Sequence, residues 1–145
     1  MLYERIRHEN LTTPATEVQL SDGSIRPENY HALLTSHHLV SPTKRKFMQQ
    51  WSSELSISGF AKIGHPGLIY AEGDKENVDE FVRNIRAMQW LALKVRFIEP
   101  IEPSQHDPGQ RWMEVEKVGE VLALMRRLGR EKHITNFGIG SISSE

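Results

Sequence analysis

Four short segments of the chain have the apolar pattern of β-strands. YHALLTSHHLV, from residue 30 to residue 40, is a mostly apolar run, and SGFAKIG and GLIYAEG follow it as two shorter ones. The last two are joined by Gly64-His65-Pro66-Gly67, residue types that reverse the chain. In WLALKVRFI the apolar residues from Leu91 to Phe97 alternate with Lys94 and Arg96, which predicts a strand with one buried and one exposed face.

Three other segments have the spacing of amphipathic helices. The first begins at Ser41-Pro42, because serine caps a first-turn amide and proline suits the first helical position, and it ends near Ser56. The second follows Gly73-Asp74, and the third extends from about Trp112 to Leu128. The residues predicted to face the core are Phe47, Trp51 and Leu55 in the first helix, Val78, Phe81, Ile85 and Met88 in the second, and Val118, Val121, Leu122, Met125 and Leu128 in the third.

The order strand, helix, strand, strand, helix, strand predicts an α+β fold of the ferredoxin-like βαββαβ type. We expect a four-stranded antiparallel sheet with two helices on one face, an open opposite face, and an extra C-terminal helix. The predicted boundaries are an N-terminal arm or linker at residues 1–29, a core domain at 30–98, and a loop, third helix and docked tail at 99–145.

Composition restricts the classes of function. The 145 residues include no cysteine, which excludes disulfides and thiol catalysis and is typical of an intracellular protein, nuclear or cytoplasmic. No segment approaches the roughly 18 apolar residues of a membrane helix, so no membrane partner is expected. The net charge of −1 is unlike that of a dedicated nucleic-acid binder. Between residues 41 and 96, however, nine basic residues outnumber six acidic ones, which predicts a local basic patch.

A series of dispersed residues resembles a known family. The series consists of Ser36-His37-His38, Lys44-Arg45-Lys46, Trp51, Leu55, Gly59-Phe60, Gly64, Pro66-Gly67, Glu72-Gly73, Ile85-Arg86 and Trp90. It is similar to the C-terminal domain shared by a spliceosomal pre-mRNA-processing factor of the tri-snRNP and by proteins with an amino-terminal RWD domain. The resemblance implies a ferredoxin-like fold and, from the splicing factor, binding to small nuclear RNA.

The adjacent His37 and His38 are candidates for metal binding or for contact with RNA. On a strand their side chains would point to opposite faces, so we predict that they do not bind one ion together. A metal site would require His65 or a carboxylate to converge on them, and nothing in the sequence demands this. We therefore predict no metal, no cofactor and no catalytic residue. The pair either packs at the helix start or contacts RNA.

Two basic surfaces are candidate RNA contacts. Lys44, Arg45 and Lys46 lie in the first helical turn, where the helix dipole favours acids, and a bound phosphate would satisfy both the free amides and the cations. Without a phosphate they form a solvated helix edge. The second surface is the open sheet face, on which basic and aromatic side chains neutralise and stack on single strands. Its candidate residues are Lys62, Tyr70, Lys94 and Arg96.

The function predicted first is a non-enzymatic RNA-binding domain. The alternative is a protein–protein interaction adaptor without nucleic-acid binding, docked through the open sheet or the acidic segment MEVEKVGEV. RNA binding predicts one continuous positive surface, whereas an adaptor predicts an exposed apolar patch or a homodimer formed through the sheet. The oligomeric state stays open.

Overall fold

The computed structural model describes residues 17–19, 25–103 and 112–135. Within them a two-stranded sheet precedes a five-stranded mixed sheet. The two-stranded sheet is formed by β1 (Glu17–Gln19) and β2 (Ile25–Pro27), which pair antiparallel inside the predicted N-terminal arm. The rest of that arm before residue 25 and the predicted docked tail after residue 135 lie outside the described residues.

Strands and helices follow in the predicted order after residue 28. The strands are β3 (Asn29–Ser36), β4 (Ser58–Lys62), β5 (Gly67–Asp74), β6 (Lys94–Pro100) and β7 (Trp112–Val115). The helices are α1 (Pro42–Glu54), α2 (Lys75–Arg86), α3 (Val118–Leu128) and α4 (Glu131–Thr135). Ser41 Oγ accepts a hydrogen bond from the Lys44 amide at 3.2 Å, so the predicted start of α1 is confirmed.

The sheet has the ferredoxin-like strand order with one added strand. β6, β3, β5 and β4 are antiparallel neighbours in that order, and β7 pairs parallel with the outer edge of β4. The prediction of four antiparallel strands is therefore wrong by one strand. The predicted third helix begins at Val118 instead of Trp112, because Trp112 packs against Phe81 of α2 while Val115 faces the other side of the sheet, as in a strand.

α1 and α2 cover one face of the sheet, as predicted. The buried residues of this first core include Ala32, Leu34, Met48, Leu55, Ile57, Ile69, Val78, Phe81 and Ile85. The buried stripe of α1 runs through Met48, Ser52 and Leu55. Phe47 lies one position away from that stripe, is 41% exposed, and stacks on the half-buried Trp51. Its predicted core position is therefore wrong.

The opposite face is covered instead of open. Val121 and Met125 of α3 and Ile134 of α4 are fully buried against the sheet. Their partners in this second core include Leu33, Phe60, Leu68, Tyr70 and Val115. The predicted apolar stripe of α3 is confirmed, and it is the reason that the expectation of an open face is wrong. Such a stripe must be buried against another element, and the sheet provides the apolar surface.

A β-bulge changes the direction of the side chains along β6. Leu33 pairs with Phe97 but Leu34 pairs with Val95, so the register shifts between them. Val95 consequently packs on the first core and Phe97 on the second, and the prediction that both share one face is wrong. Among the described residues, every helix is too short or too polar to span a bilayer.

Candidate functional site

The candidate site lies at the end of the sheet where β3 stops and α1 begins. Leu39 and Gly64 exchange two backbone hydrogen bonds of 2.9 Å, and the His37 amide donates to the Leu91 carbonyl at 3.1 Å. These bonds hold together the β3–α1 connection, the β4–β5 loop and the loop before β6. We call this end of the domain the β3–α1 edge.

Three histidines meet at the β3–α1 edge. The Nδ1 atoms of His37 and His38 lie 3.3 Å apart, and one ring nitrogen from each of these two residues and from His65 lies within 4.8 Å of the others. The expectation that His37 and His38 point to opposite faces is wrong, because β3 ends at Ser36 and the pair is not in a strand. His37 and His65 are exposed, and His38 is half-buried.

Lys62 positions the loop that carries His65. Its Nζ donates to the His65 carbonyl at 3.2 Å and to the Pro66 carbonyl at 3.0 Å. The residue is only 4% exposed, and burial lowers the pKa of its ammonium group. The predicted place of Lys62 on an open face is therefore wrong, since the side chain is used inside the β4–β5 connection.

A close backbone approach at Gly67 brings the two histidine-bearing segments together. A Cβ at this position would lie 2.5 Å from Ser36 Oγ and 2.6 Å from Leu39 Cβ, so no larger residue fits. Ser36 Oγ in turn donates to the His38 carbonyl at 2.9 Å. Gly67 belongs to the turn segment Gly64-His65-Pro66-Gly67, which the sequence marks. Its contact with Ser36 and Leu39 joins segments about thirty residues apart, so spacing along the chain does not reveal it.

The three cations at the start of α1 have different surroundings. Lys44 Nζ lies 4.8 Å from the centroid of the Trp90 ring. The Arg45 guanidinium donates two hydrogen bonds, of 3.0 and 2.8 Å, to the Glu114 carboxylate of β7. Lys46 is exposed. An anion at the helix start would therefore meet Lys44 and Lys46, while Arg45 is already paired.

Lys94 and Arg96 are exposed close to the same edge. Lys94 pairs with Thr35 one residue before β3 ends, and Arg96 Nε donates to Thr35 Oγ1 at 2.8 Å. Both side chains are therefore accessible. Two of the four residues predicted on the sheet face thus remain available to a ligand.

Tyr70, in contrast, is 0% exposed in the second core. Its hydroxyl donates to Glu72 Oε2 at 2.6 Å, and burial raises the pKa of the phenol. The prediction that Tyr70 lies on an exposed surface is wrong, because α3 covers the centre of the sheet.

A buried polar network, which sequence reasoning missed, extends from Tyr70 to the other end of the sheet. His31 Nδ1 lies 2.8 Å from the Tyr70 hydroxyl, and His31 Nε2 lies 3.0 Å from Glu99 Oε2. His133 Nδ1 lies 3.6 Å from the same Glu99 oxygen. These residues come from β3, β5, β6 and α4, so no regular spacing along the chain marks them as a group. Burial lowers the pKa of His31 more strongly than its hydrogen bond with Glu99 raises it.

The second His group, formed by His31, Glu99 and His133, also has one ligand atom per residue within 4.8 Å. Both ring nitrogens of His31 already contact protein partners in the network, and the ring is fully buried. The arrangement therefore resembles a satisfied core network more than a metal site.

Comparison with solved structures supports the fold. The structure titled BlrP1 BLUF matches with a TM-score of 0.55 and 13% identity, over 71% of this chain and 77% of that chain. BlrB, a BLUF protein in its dark state, matches with a TM-score of 0.50 and 22% identity, over 71% of this chain and 83% of that chain. At these identities the likeness concerns the fold alone.

Comparison with family models identifies the sequence class. Residues 32–124, more than half of the chain, match the model described as small nuclear ribonucleoprotein Prp3, C-terminal domain. The matched range includes the β3–α1 edge, β6 and most of α3. The additional similarity to RWD-linked proteins stays a prediction. The chain therefore belongs to the family of the Prp3 C-terminal domain, which is a splicing-related domain.

Proposed function

We propose that this domain binds RNA through the β3–α1 edge and the adjacent end of β6, as part of a nuclear splicing ribonucleoprotein. The observation that carries the proposal is the position of Lys94 and Arg96 beside Thr35, near the end of β3. From there the chain continues through His37 and His38 into α1, where Lys44 and Lys46 follow. Membership of the Prp3 C-terminal family supports RNA as the ligand class and small nuclear RNA as the first RNA to test.

The chemistry of this edge suits a phosphate backbone. The first turn of α1 contains no acidic residue, so the positive end of the helix dipole lies next to Lys44 and Lys46. Lys94 and Arg96 extend the basic surface along β6. The exposed rings of His37 and His65 provide planar groups on which unpaired bases stack.

Fluorescence anisotropy of labelled single-stranded and hairpin RNAs, at several salt concentrations, tests the proposal. Four neutralised phosphates predict a log–log salt slope of about −2.8 for single-stranded RNA and about −3.6 for a duplex. The double variant Lys94→Ala/Arg96→Ala should weaken binding and flatten this slope by about 1.4, roughly 0.7 for each lost cation. The matched control Arg127→Ala/Lys132→Ala removes two exposed cations from α3 and α4 and should leave the slope unchanged. Equal effects of the two variants, or no binding at low salt, would refute the proposal.

A protein-interaction role is the second candidate, and exposed apolar residues favour it. Val40 is 49% exposed, Phe47 is 41% exposed and Leu91 is 59% exposed. The Leu91 carbonyl accepts the backbone hydrogen bond of His37, so a partner that covers Leu91 would compete with RNA for the same edge. Sedimentation of the wild type and Leu91→Ser tests self-association. A dimer that disappears in the variant, with no RNA binding, would support the adaptor.

A further inference from the structure

We propose that His37, His38 and His65 bind a divalent transition-metal ion of the Zn²⁺ type, with one coordination position left open. This inference does not require RNA binding, although it uses the His37 and His65 rings that the proposed function places beside RNA. It concerns the three side chains that the structure brings together from the β3–α1 connection and the β4–β5 loop.

The nitrogen spacing matches tetrahedral coordination. Two imidazole nitrogens bound to one zinc ion at about 2.0–2.1 Å lie about 3.3 Å apart when the coordination angle is tetrahedral. The Nδ1 atoms of His37 and His38 are 3.3 Å apart. The ligand nitrogen of His65 lies within 4.8 Å of the ligand nitrogens of His37 and His38. Rotation of the exposed His65 side chain would shorten this distance toward the spacing of tetrahedral coordination. The alternative explanation of the His37–His38 contact is a hydrogen bond between two neutral rings. Such a bond would not account for the position of His65 beside them.

The backbone around the three histidines is fixed before any ion binds. The two Leu39–Gly64 hydrogen bonds join the two segments, and Lys62 Nζ holds the carbonyls of His65 and Pro66. Gly67 packs against Ser36 and Leu39 at distances that exclude a side chain. A ligand set on such a frame needs little ordering when metal binds, which favours affinity.

The ligand chemistry selects the metal class. Imidazole suits zinc, copper, iron and nickel, whereas magnesium and calcium prefer carboxylate and carbonyl oxygens, and the group contains no carboxylate. Three histidines with an open fourth position form the ligand set of water-binding zinc sites. Because His37 and His65 are exposed, water or an external anion has access to that open position.

Isothermal titration of the metal-stripped full chain with ZnCl₂ tests this site. The wild type should bind one ion per chain. His65→Asn and His37→Asn should each weaken binding by at least the roughly 10- to 100-fold typical of losing an outer-shell partner. His133→Asn alters the other histidine group and should leave the affinity unchanged. Co²⁺ added instead of Zn²⁺ should give the visible absorption bands of a four-coordinate ion, which His65→Asn should abolish.

Three results would overturn the proposal. The first is absence of zinc binding by the wild type at submillimolar concentrations. The second is an affinity of His65→Asn and His37→Asn equal to that of the wild type, and the third is loss of binding in His133→Asn alone. Both substituted residues of the proposed site are exposed, so the variants should keep the wild-type melting temperature in EDTA. If one of them does not fold, the other alone decides the question.

Discussion

The guanidinium of Arg130 donates to both oxygens of the Glu72 carboxylate, at 2.9 Å from Nε and 3.4 Å from Nη2. Arg130 follows α3, and Glu72 lies near the end of β5. The two side chains are only 8% and 11% exposed. This pair fastens the C-terminal helices to the second face of the sheet. It makes them part of the same folded unit and leaves only the rim of that face accessible.

Replacing Arg130 by methionine should destabilise the protein strongly. The substitution leaves the Glu72 carboxylate buried without its cationic partner, with the Tyr70 hydroxyl as remaining donor. Removing one partner of a buried ion pair typically costs about 3–5 kcal/mol of unfolding free energy. Urea denaturation followed by tryptophan fluorescence measures the difference. Arg127→Met, on the exposed side of α3, should change stability by no more than about 0.5 kcal/mol. Similar midpoints for the two variants would show that the buried ion pair does not hold the C-terminal helices.

Tyr70→Phe separates a core role of Tyr70 from a role in RNA binding. Loss of the hydroxyl leaves His31 Nδ1 without its buried partner and removes one donor to Glu72, which keeps Arg130. The expected loss of stability is about 1–3 kcal/mol. RNA affinity should stay unchanged, because Tyr70 is 0% exposed. Chemical denaturation measures the stability of the variant, and RNA anisotropy on the same preparation measures its RNA affinity. Weakened RNA binding at unchanged stability would instead place Tyr70 at an RNA surface.

The fold was predictable where a pattern is local. Val78, Phe81 and Ile85 mark the buried face of α2 within a single helix, and all three are fully buried. The stripe of α3 was also visible, but which surface covers it depends on contacts across the chain. β7 was missed because four residues are too few to distinguish a strand from the first turn of a helix, and pairing with β4 decides between them.

The site was predictable only in part, for the same reason. The sequence marks His37, His38 and the cations at the start of α1. It does not show that β3 ends at Ser36, which turns the two histidines toward each other and toward His65. It equally does not show that Lys62 is used to hold the β4–β5 loop, since its hydrogen-bond partners are backbone carbonyls.

Gly67→Ala tests the close approach that brings His65 to the histidine pair. The added Cβ would collide with Ser36 and Leu39, so we expect a loss of about 1–3 kcal/mol, as for other overpacked positions. Gly119→Ala is the matched control. No atom lies within 4 Å of the Cβ that it adds in α3. In a helix this change should be stabilising by roughly 0.5–1 kcal/mol. Thermal melts of the two variants should shift in opposite directions, and a neutral Gly67→Ala would contradict the packing described for this edge.

Stability should decrease in mildly acidic solution because of His31. Burial lowers the pKa of His31 below 6.5, so between that lowered pKa and 6.5 the unfolded chain binds more protons at this position than the folded protein. The unfolding free energy therefore rises with pH through this window, and the contribution of the neutral His31 is lost as the pH falls. Urea denaturation at pH 5 and pH 7.5 measures the effect.

His31→Gln should reduce the difference in unfolding free energy between pH 5 and pH 7.5. If the substitution leaves this difference as in the wild type, the buried ring is not its source.

The most direct test of the account is a titration of ¹⁵N-labelled protein with short RNA, followed through its amide NMR signals. The account predicts that the largest shift changes lie at residues 37–46, 64–67 and 90–96, with little change in α3 and α4. Largest changes in α3 and α4, or no changes at a salt concentration low enough for phosphate binding, would contradict the placement of an RNA site at the β3–α1 edge.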